Sequence, residues 1–309
     1  MILCLGTTPA LQRTMRFKQF ALDVVNRAVE VHDYASGKVI NVARVVHQLG
    51  HPVVASGFLG GDSGRFMRAD MDKTGIRHDF VTVNPPTRQC ITLLDDSTKT
   101  SSELVEEAAE VEQSAWDRLD ETLHRHLKQA AALVLTGSMT PNAPADFFTR
   151  CTAAANERKI PVILDTRGEP LKHALPQRPT VVKPNVSELA ATVGREILTD
   201  ADLRGAIILL VEQGAQWAII TRGPKPAIVS DGRSFWSVTT PAVPVLNTIG
   251  SGDAFTAGLA VELSRGQTLP DACRLAIACG AANAMTLWAG FVEPQKVREL
   301  QAKIQIAPW

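Results

Sequence analysis

Apolar positions along the chain fall into two alternating patterns. Short apolar runs at 2–5, 53–58, 133–135, 162–164, 181–182 and 217–220 read as buried strands. Between them lie longer segments with apolar residues at helical spacing, at 39–49, 62–73, 115–129, 144–157, 186–193 and 201–212. In the first of these, Val42, Val45, Val46 and Leu49 share one face, and Gly50-His51-Pro52 stops the helix. Strand following helix in this order predicts a mainly parallel sheet with helices on both faces. Two stretches break the pattern. Around 11–35 single residues alternate, with Val29, Val31 and Asp33 set against Glu30, His32 and Tyr34, as in half-exposed strands. Segments 88–94 and 100–105 read as a hairpin around Asp95-Asp96-Ser97. No crossover helix follows either stretch, so 11–35 and 87–105 are expected to form a small separate sheet, a lid over the active edge. No repeat or linker divides the chain, which predicts one domain over 1–309.

Composition narrows the class. The chain has 309 residues, 45% hydrophobic and 21% charged, with 32 basic and 32 acidic residues. The balance leaves no basic excess for general nucleic-acid or membrane-surface binding. Five scattered cysteines, none at CxxC spacing, fit a reducing cytoplasm and argue against a disulfide framework or a thiolate zinc site. Neither a signal peptide nor a run of membrane-spanning length is visible. Trp116, Trp217 and Trp288 are expected to pack rather than react.

The chemistry concentrates in Asn247-Thr248-Ile249-Gly250-Ser251-Gly252-Asp253, followed by a small-residue helix to about Leu263. Glycines at 250 and 252 let backbone N–H groups crowd toward one point. The helix behind adds unpaired donors and its positive dipole end, which together make an anion site. Asp253 falls beside that site. It reads either as a general base for a hydroxyl attacking a phosphoryl group or as an acid capping the helix.

Other polar groups fall at strand ends or helix starts. Gly37, Lys38 and Asn41 open the helix at 39–49, where they would hold a sugar hydroxyl or phosphate, or simply form its starting turn. The GxxxxGK[ST] spacing of a Walker A loop is absent. Lys183-Pro184-Asn185-x-x-Glu188 puts an amide and a carboxylate on one face of a first helical turn. That pair suits a hydrated Mg²⁺, and equally a capping box. Thr136-Gly137-Ser138, Asp165-Thr166-Arg167-Gly168 and Thr221-Arg222-Gly223 each follow a strand, where α/β sheets bind ligands.

In this order the motifs resemble the ribokinase-like carbohydrate kinases, and within them the phosphosugar branch of 1-phosphofructokinases, tagatose-6-phosphate kinases and the phosphofructokinase B type. The resemblance spans nearly the whole chain. Thr8-Pro9-Ala10-Leu11 is similar to the branch's opening NPAL. Asn26-Arg27, Gly37-Lys38-x-Ile40-Asn41-Val42-Ala43 and Thr87-Arg88 match its substrate lobe, and Gly250-x-Gly252-Asp253 its most specific signature. The resemblance implies a ribokinase-like three-layer α/β sandwich with a β-sheet lid, often paired with a second subunit's lid in a homodimer. It implies ATP as donor, Mg²⁺ as charge neutraliser, Asp253 as base, and Gly250, Ser251 and Gly252 as anion hole. Lys183, Asn185, Glu188, Thr221 and Gly223 fall where the family holds ATP phosphates and Mg²⁺, with Asn185 and Glu188 reaching the metal through water. Gln12, Arg27, Gly37, Lys38, Asn41, Arg88 and Ser138 fall where it holds the sugar or its phosphate.

The sequence departs from the family at the sugar rather than at the chemistry. Gln12 stands where the opening motif usually continues with Asp, Ser36 and Val39 replace glycines of the GGKG turn, and Pro226 replaces a glycine of the ATP loop. The expected activity is ATP-dependent phosphorylation of a ketohexose monophosphate (fructose 1-phosphate, tagatose 6-phosphate or fructose 6-phosphate) to a 1,6-bisphosphate. The alternatives are a kinase for an unphosphorylated sugar or nucleoside, and a silent nucleotide or sugar-phosphate sensor.

Overall fold

The computed structural model describes residues 1–309. Its centre is a nine-stranded sheet ordered Ile306–Pro308, Phe235–Val238, Lys225–Ser230, Trp217–Arg222, Val181–Val182, Val162–Asp165, Ala132–Thr136, Ile2–Leu5, Val53–Ser56. From Trp217–Arg222 to Val53–Ser56 every neighbouring pair is parallel. The pairings beyond Trp217–Arg222 are antiparallel.

The strand Ile2–Leu5 shows why three layers form. It is buried throughout, so its alternate side chains enter opposite cores. Ile2 and Cys4 join a cluster of 45 buried residues under the helices Lys38–Gln48, Ser251–Ser264 and Leu269–Ala284. Leu3 and Leu5 join one of 36 residues under Gln113–Leu127, Phe147–Asn156 and Asp200–Glu212. The helix Ser251–Ser264 is buried nearly all round, which explains its small residues. A Cβ on Gly258 would sit 2.8 Å from the Cα of Ala276 in the next helix, so this pair crosses backbone to backbone. All five cysteines are free and buried, and Trp116 packs between Phe58 and Phe147. No helix is long and apolar enough to cross a membrane.

The alternating stretches form a separate four-stranded sheet, Glu30–Ser36, Ala10–Phe17, Gln89–Asp95, Thr100–Val105. It is fastened to the main body at Gly37, whose φ of 89° admits few other residues and whose Cβ would lie 2.7 Å from Pro9 Cα.

Several boundaries differ from the sequence reading. The run at 53–58 is two strands, because Gly57 turns the chain and Phe58–Gly60 pairs instead with Val81–Val83. The helix expected from 144 begins at Phe147, after a turn at 141–142. The antiparallel edge and the helices Leu269–Ala284 and Pro294–Gln301 lie in stretches that the pattern left unassigned.

Candidate active site

Polar residues converge at the C-terminal edge of the parallel strands, because each of those strands ends there and the next helix begins nearby. Asp165 ends its strand, Thr136 ends the neighbouring one, and Lys183 follows the next. An isolated bridge pairs Asn185 with Thr221. The helices Lys38–Gln48, Val186–Val193 and Ser251–Ser264 all start at this edge.

Gly250 is the residue before the last of these helices, in left-handed conformation at φ 82°. A Cβ there would meet Gly290 N at 2.6 Å and Ala289 Cα at 2.8 Å. The turn can therefore close only against the 289–290 segment and only with glycine. Ser251 N–H bonds back to Thr248 O and Ala254 N–H to Gly250 O, leaving the amides of Gly252 and Asp253 without an acceptor in the chain. These are the free donors expected at a helix start. A Cβ on Gly252 would lie 3.7 Å from Lys183 Nζ, so an ammonium stands over the same point.

Asp253 is 7% exposed and accepts from Asn41 Nδ2 at 2.8 Å. Its side chain caps no backbone amide. Burial pushes its carboxyl up to about 6, helped by Asp165 and opposed by Lys38, Lys183 and the Asn41 amide. A carboxyl in that range is ionised at neutral pH yet basic enough to take a proton.

The largest feature that the motif reading left without a role is Asp165. Its side chain is 1% exposed. Lys38 Nζ lies 3.3 Å from Oδ1, Lys183 Nζ 3.4 Å from Oδ2, and Thr256 donates to Oδ2 at 2.7 Å. Burial alone would raise its carboxyl; the two ammonium groups and the hydrogen bonds outweigh that and hold it below the ordinary range. Lys38 also faces Glu188 Oε1 at 3.8 Å. Asp165 foremost, then Asp253 and Glu188, hold its ammonium above the usual range against partial burial. Thr256 lies one turn beyond Asp253 on the same helix, and no spacing in the sequence links it to Asp165.

Two cavities flank this cluster. One of about 450 Å³ is lined mainly by polar residues, Lys38, Arg88, Ser138, Arg167, Thr136 and Glu188 among them. Thr136 Oγ1 and Arg88 Nε are buried there without a hydrogen-bond partner. The other, about 560 Å³, is more apolar, with Thr221, Gly223, Val243, Phe255, Ala281 and Gly252 in its wall. Thr7, Thr8 and Thr166 hold the Gly137-Ser138 turn through its carbonyls.

Most of the residues singled out in the sequence meet here. Asp253, Asn41, Lys38, Lys183 and Glu188 are linked as described, Arg88 and Ser138 line the polar cavity, and Thr221 and Gly223 line the apolar one. Arg88 spends two donors on the carbonyls of Glu106 and Thr8. Arg27 is exposed in the segment joining two strands of the small sheet and lines neither cavity. Arg167 lines the polar one instead. Gln12 is 3% exposed and donates to Thr92 at 2.9 Å within the small sheet, away from both cavity walls.

Asn185 and Glu188 form a complete capping box. Asn185 Oδ1 accepts from Glu188 N at 2.8 Å and from Ser187 Oγ at 2.7 Å, and Glu188 Oε2 accepts from Asn185 N at 2.9 Å. That leaves Glu188 Oε1, 3.8 Å from Lys38 Nζ and without a hydrogen bond, as the carboxylate oxygen that can face a hydrated cation. No group of three or more acidic, His or Cys side chains is arranged to hold a metal. Asn185, expected from the sequence to reach the metal, has both lone pairs of its amide oxygen filled by these two donors. Glu188 alone of the pair is left for a Mg²⁺ that keeps its waters and takes most of its ligands from elsewhere.

The family described as pfkB family carbohydrate kinase matches residues 1–294. The tagatose-6-phosphate kinase of Staphylococcus epidermidis is 31% identical over 309 residues, covering 99% of each chain. The crystal structure of Escherichia coli phosphofructokinase-2 in complex with fructose-6-phosphate superposes with a TM-score of 0.87 at 25% identity, covering 98% of both chains. A possible 1-phosphofructokinase from Thermotoga maritima shares the fold at a TM-score of 0.92 and 22% identity, over 100% of this chain and 99% of that one. With the family match over nearly the whole chain and a 31% identical kinase over its full length, the chain belongs to the pfkB family of carbohydrate kinases and is an ATP-dependent sugar kinase.

Proposed function

We propose that the protein transfers the γ-phosphoryl group of ATP to a hydroxyl of a ketohexose monophosphate, giving a 1,6-bisphosphate. The observation that carries this reading is the placement of Asp253. It lies at a helix start with two unsatisfied amides, between Gly252, which lines the apolar cavity, and a cluster whose Lys38 and Glu188 line the cation-lined one. The relatives named above act on or bind phosphorylated hexoses, by their names, which supports the same substrate class here.

In this reading the apolar cavity takes the adenine end, with Thr221 and Gly223 beside the phosphates. The polar cavity takes the sugar phosphate. Lys38 and Arg88 contact its phosphate, Arg167 is the third cation in place of Arg27, and Ser138 holds a hydroxyl. Asp253 accepts the proton of the attacking hydroxyl as the new O–P bond forms and the bond from the γ-phosphorus to the β-bridging oxygen breaks. The amides of Gly252 and Asp253, with Lys183 above them, hold the charge that develops on the transferring group. Mg²⁺ bound with the nucleotide supplies further charge neutralisation, and Glu188 Oε1 is the group that would face its waters. Asp165 holds Lys38 and Lys183 on either side of that point, so the cations are in place before substrate arrives.

The small sheet is read as a lid whose outer side joins a second copy of the chain. Leu22, Val24, Val25 and Val29, in the segment joining two of its strands, and Val31 on the edge strand Glu30–Ser36 are 47–84% exposed, and Leu104 and Val105 are exposed on the opposite edge strand. An apolar set of this size on an edge sheet is a surface that association would cover. The activity is tested by supplying ATP and a ketohexose monophosphate and identifying a bisphosphate among the products by ³¹P NMR. Hydrolysis to free phosphate alone would count against the reading.

A further inference from the structure

Arg44 is buried to 2% exposure and forms no salt bridge with any carboxylate. Burial pushes its guanidinium down to about 10. The carboxylate acting on it is that of Asp70, which accepts from Ala35 N at 3.0 Å and makes no ion pair with the guanidinium. A buried charge without an ion-pair partner destabilises a fold, so its contacts need another account. Its Nη1 donates to Asn41 Oδ1 at 3.3 Å and reaches Ala289 O at 3.5 Å; its Nη2 donates to Ala35 O in the small sheet. Its plane faces Phe291 at 4.7 Å and Tyr34 at 5.6 Å.

Asn41 is the link to chemistry. Arg44 follows it by three residues on one helix, so the two share a face. Asn41 Oδ1 accepts from Ser36 Oγ at 2.8 Å as well as from Arg44, which fills both lone pairs. The amide can then present only Nδ2 to Asp253 Oδ2. A flipped amide would set its NH₂ against two donors and its oxygen against a carboxylate. The same guanidinium reaches the turn behind the free amides. Ala289 N–H donates to the Tyr34 hydroxyl at 3.2 Å, and the 289–290 peptide packs between Asn41 and Gly250 with no space for a Cβ on either glycine.

We propose that Arg44 is a positioning residue for phosphoryl transfer: with Ser36 it locks the Asn41 amide toward Asp253, and through Ala35 and Ala289 it ties that orientation to the small sheet and to the glycine turn. This rests on the kinase reading with Asp253 as base. The other groups facing Asp253, namely Lys38, Asp165 and Lys183, are the same in every variant below.

The test compares Arg44→Met, Ser36→Ala and Asn41→Ala with the wild type. Arg44→Met is expected to lower kcat about tenfold or more with KM for ATP within about twofold, because the base loses its orientation while the apolar cavity is untouched. The acid limb of kcat is expected to move to higher pH by about half a unit or more in both Arg44→Met and Ser36→Ala. Arg44→Met added to Asn41→Ala should move it no further. The Asp253 carboxyl is also titrated by ¹³C NMR, assigned with Asp253→Asn, which reads the same shift without turnover. An inactive wild type whose carboxyl still shifts in the variants would break the kinase reading and keep the lock. An unmoved carboxyl, or losses that add fully to those of Asn41→Ala, would overturn the lock. If Arg44→Met fails to fold, Ser36→Ala carries the test at the same oxygen.

Discussion

Lys183 Nζ lies 3.4 Å from Asp165 Oδ2, and both side chains are almost withdrawn from solvent, 4% and 1% exposed. Lys38 approaches the other carboxylate oxygen, so one buried acid holds the two ammonium groups of the site. Asp165→Asn would leave Lys183 buried without its counter-charge. The expected cost is up to about 3–5 kcal/mol of stability, as for breaking a buried pair from one side. The Asp165 carboxyl is depressed in the folded state, so this contribution is complete above about pH 4 and fades as pH falls below it. Thermal unfolding from pH 3 to 8 checks this. Equal midpoints for variant and wild type at pH 7 would remove Asp165 as the holding group.

Asp253→Asn separates base from cap. Turnover is expected to fall about a hundredfold or more with nucleotide affinity retained. The stability effect has the opposite sign to that of Asp165. The folded carboxyl sits at about 6, above the ordinary 3.8, so the native state holds its proton over that interval and ionisation costs stability above it. The asparagine variant should therefore be more stable than wild type by about 1–3 kcal/mol above pH 7, and the gain should vanish below about pH 4. Wild-type kcat/KM should decline as pH falls through about 6. Full turnover by the amide variant would mean that another group takes the proton.

Arg88→Ala distinguishes the two cavities. Arg88 lines only the polar one of the pair and keeps a buried Nε without partner. Loss of one charge-assisted contact should raise KM for the sugar phosphate by about 10- to 100-fold, the equivalent of about 1.5–3 kcal/mol. KM for ATP should change little. Equal losses for both substrates would assign Arg88 to holding the small sheet through Thr8 and Glu106 instead.

Val25→Asp tests the exposed apolar segment that joins two strands of the small sheet. Val25 is 79% exposed, so an aspartate there meets solvent in a monomer and costs almost nothing. In a lid-to-lid dimer it would bury a charge without a partner. Sedimentation should show a wild-type dimer at micromolar concentration and a monomeric variant. A monomeric, fully active wild type would exclude the lid interface.

The parallel core and the glycine turn were legible in the sequence because local rules decide them. Fully apolar runs make buried strands, and Gly250 is required by a positive φ with no space for a Cβ. The antiparallel edge was not, since Lys225–Ser230 and Phe235–Val238 carry mixed side chains whose pairing is set by neighbours distant in sequence. Asn185 and Glu188 were legible as a pair, but spacing could not tell a metal site from a capping box; the structure forms the box and leaves one oxygen over. The role of Asp165 was hidden for a similar reason. Its partners Lys38, Lys183 and Thr256 come from three separate segments, and only the fold brings them to one carboxylate. Arg27 shows the reverse: a basic residue in a matching motif that the fold leaves at the surface, while Arg167 reaches the cavity.

The most direct measurement is kcat/KM with saturating Mg·ATP over fructose 1-phosphate, fructose 6-phosphate, tagatose 6-phosphate, fructose and adenosine. Lys38, Arg88 and Arg167 in one cavity wall predict that at least one ketohexose monophosphate exceeds every unphosphorylated acceptor by about a hundredfold, since a missing phosphate leaves these cations unpaired. Faster turnover of fructose or adenosine, or nucleotide binding with no transfer to any of the five, would contradict the account.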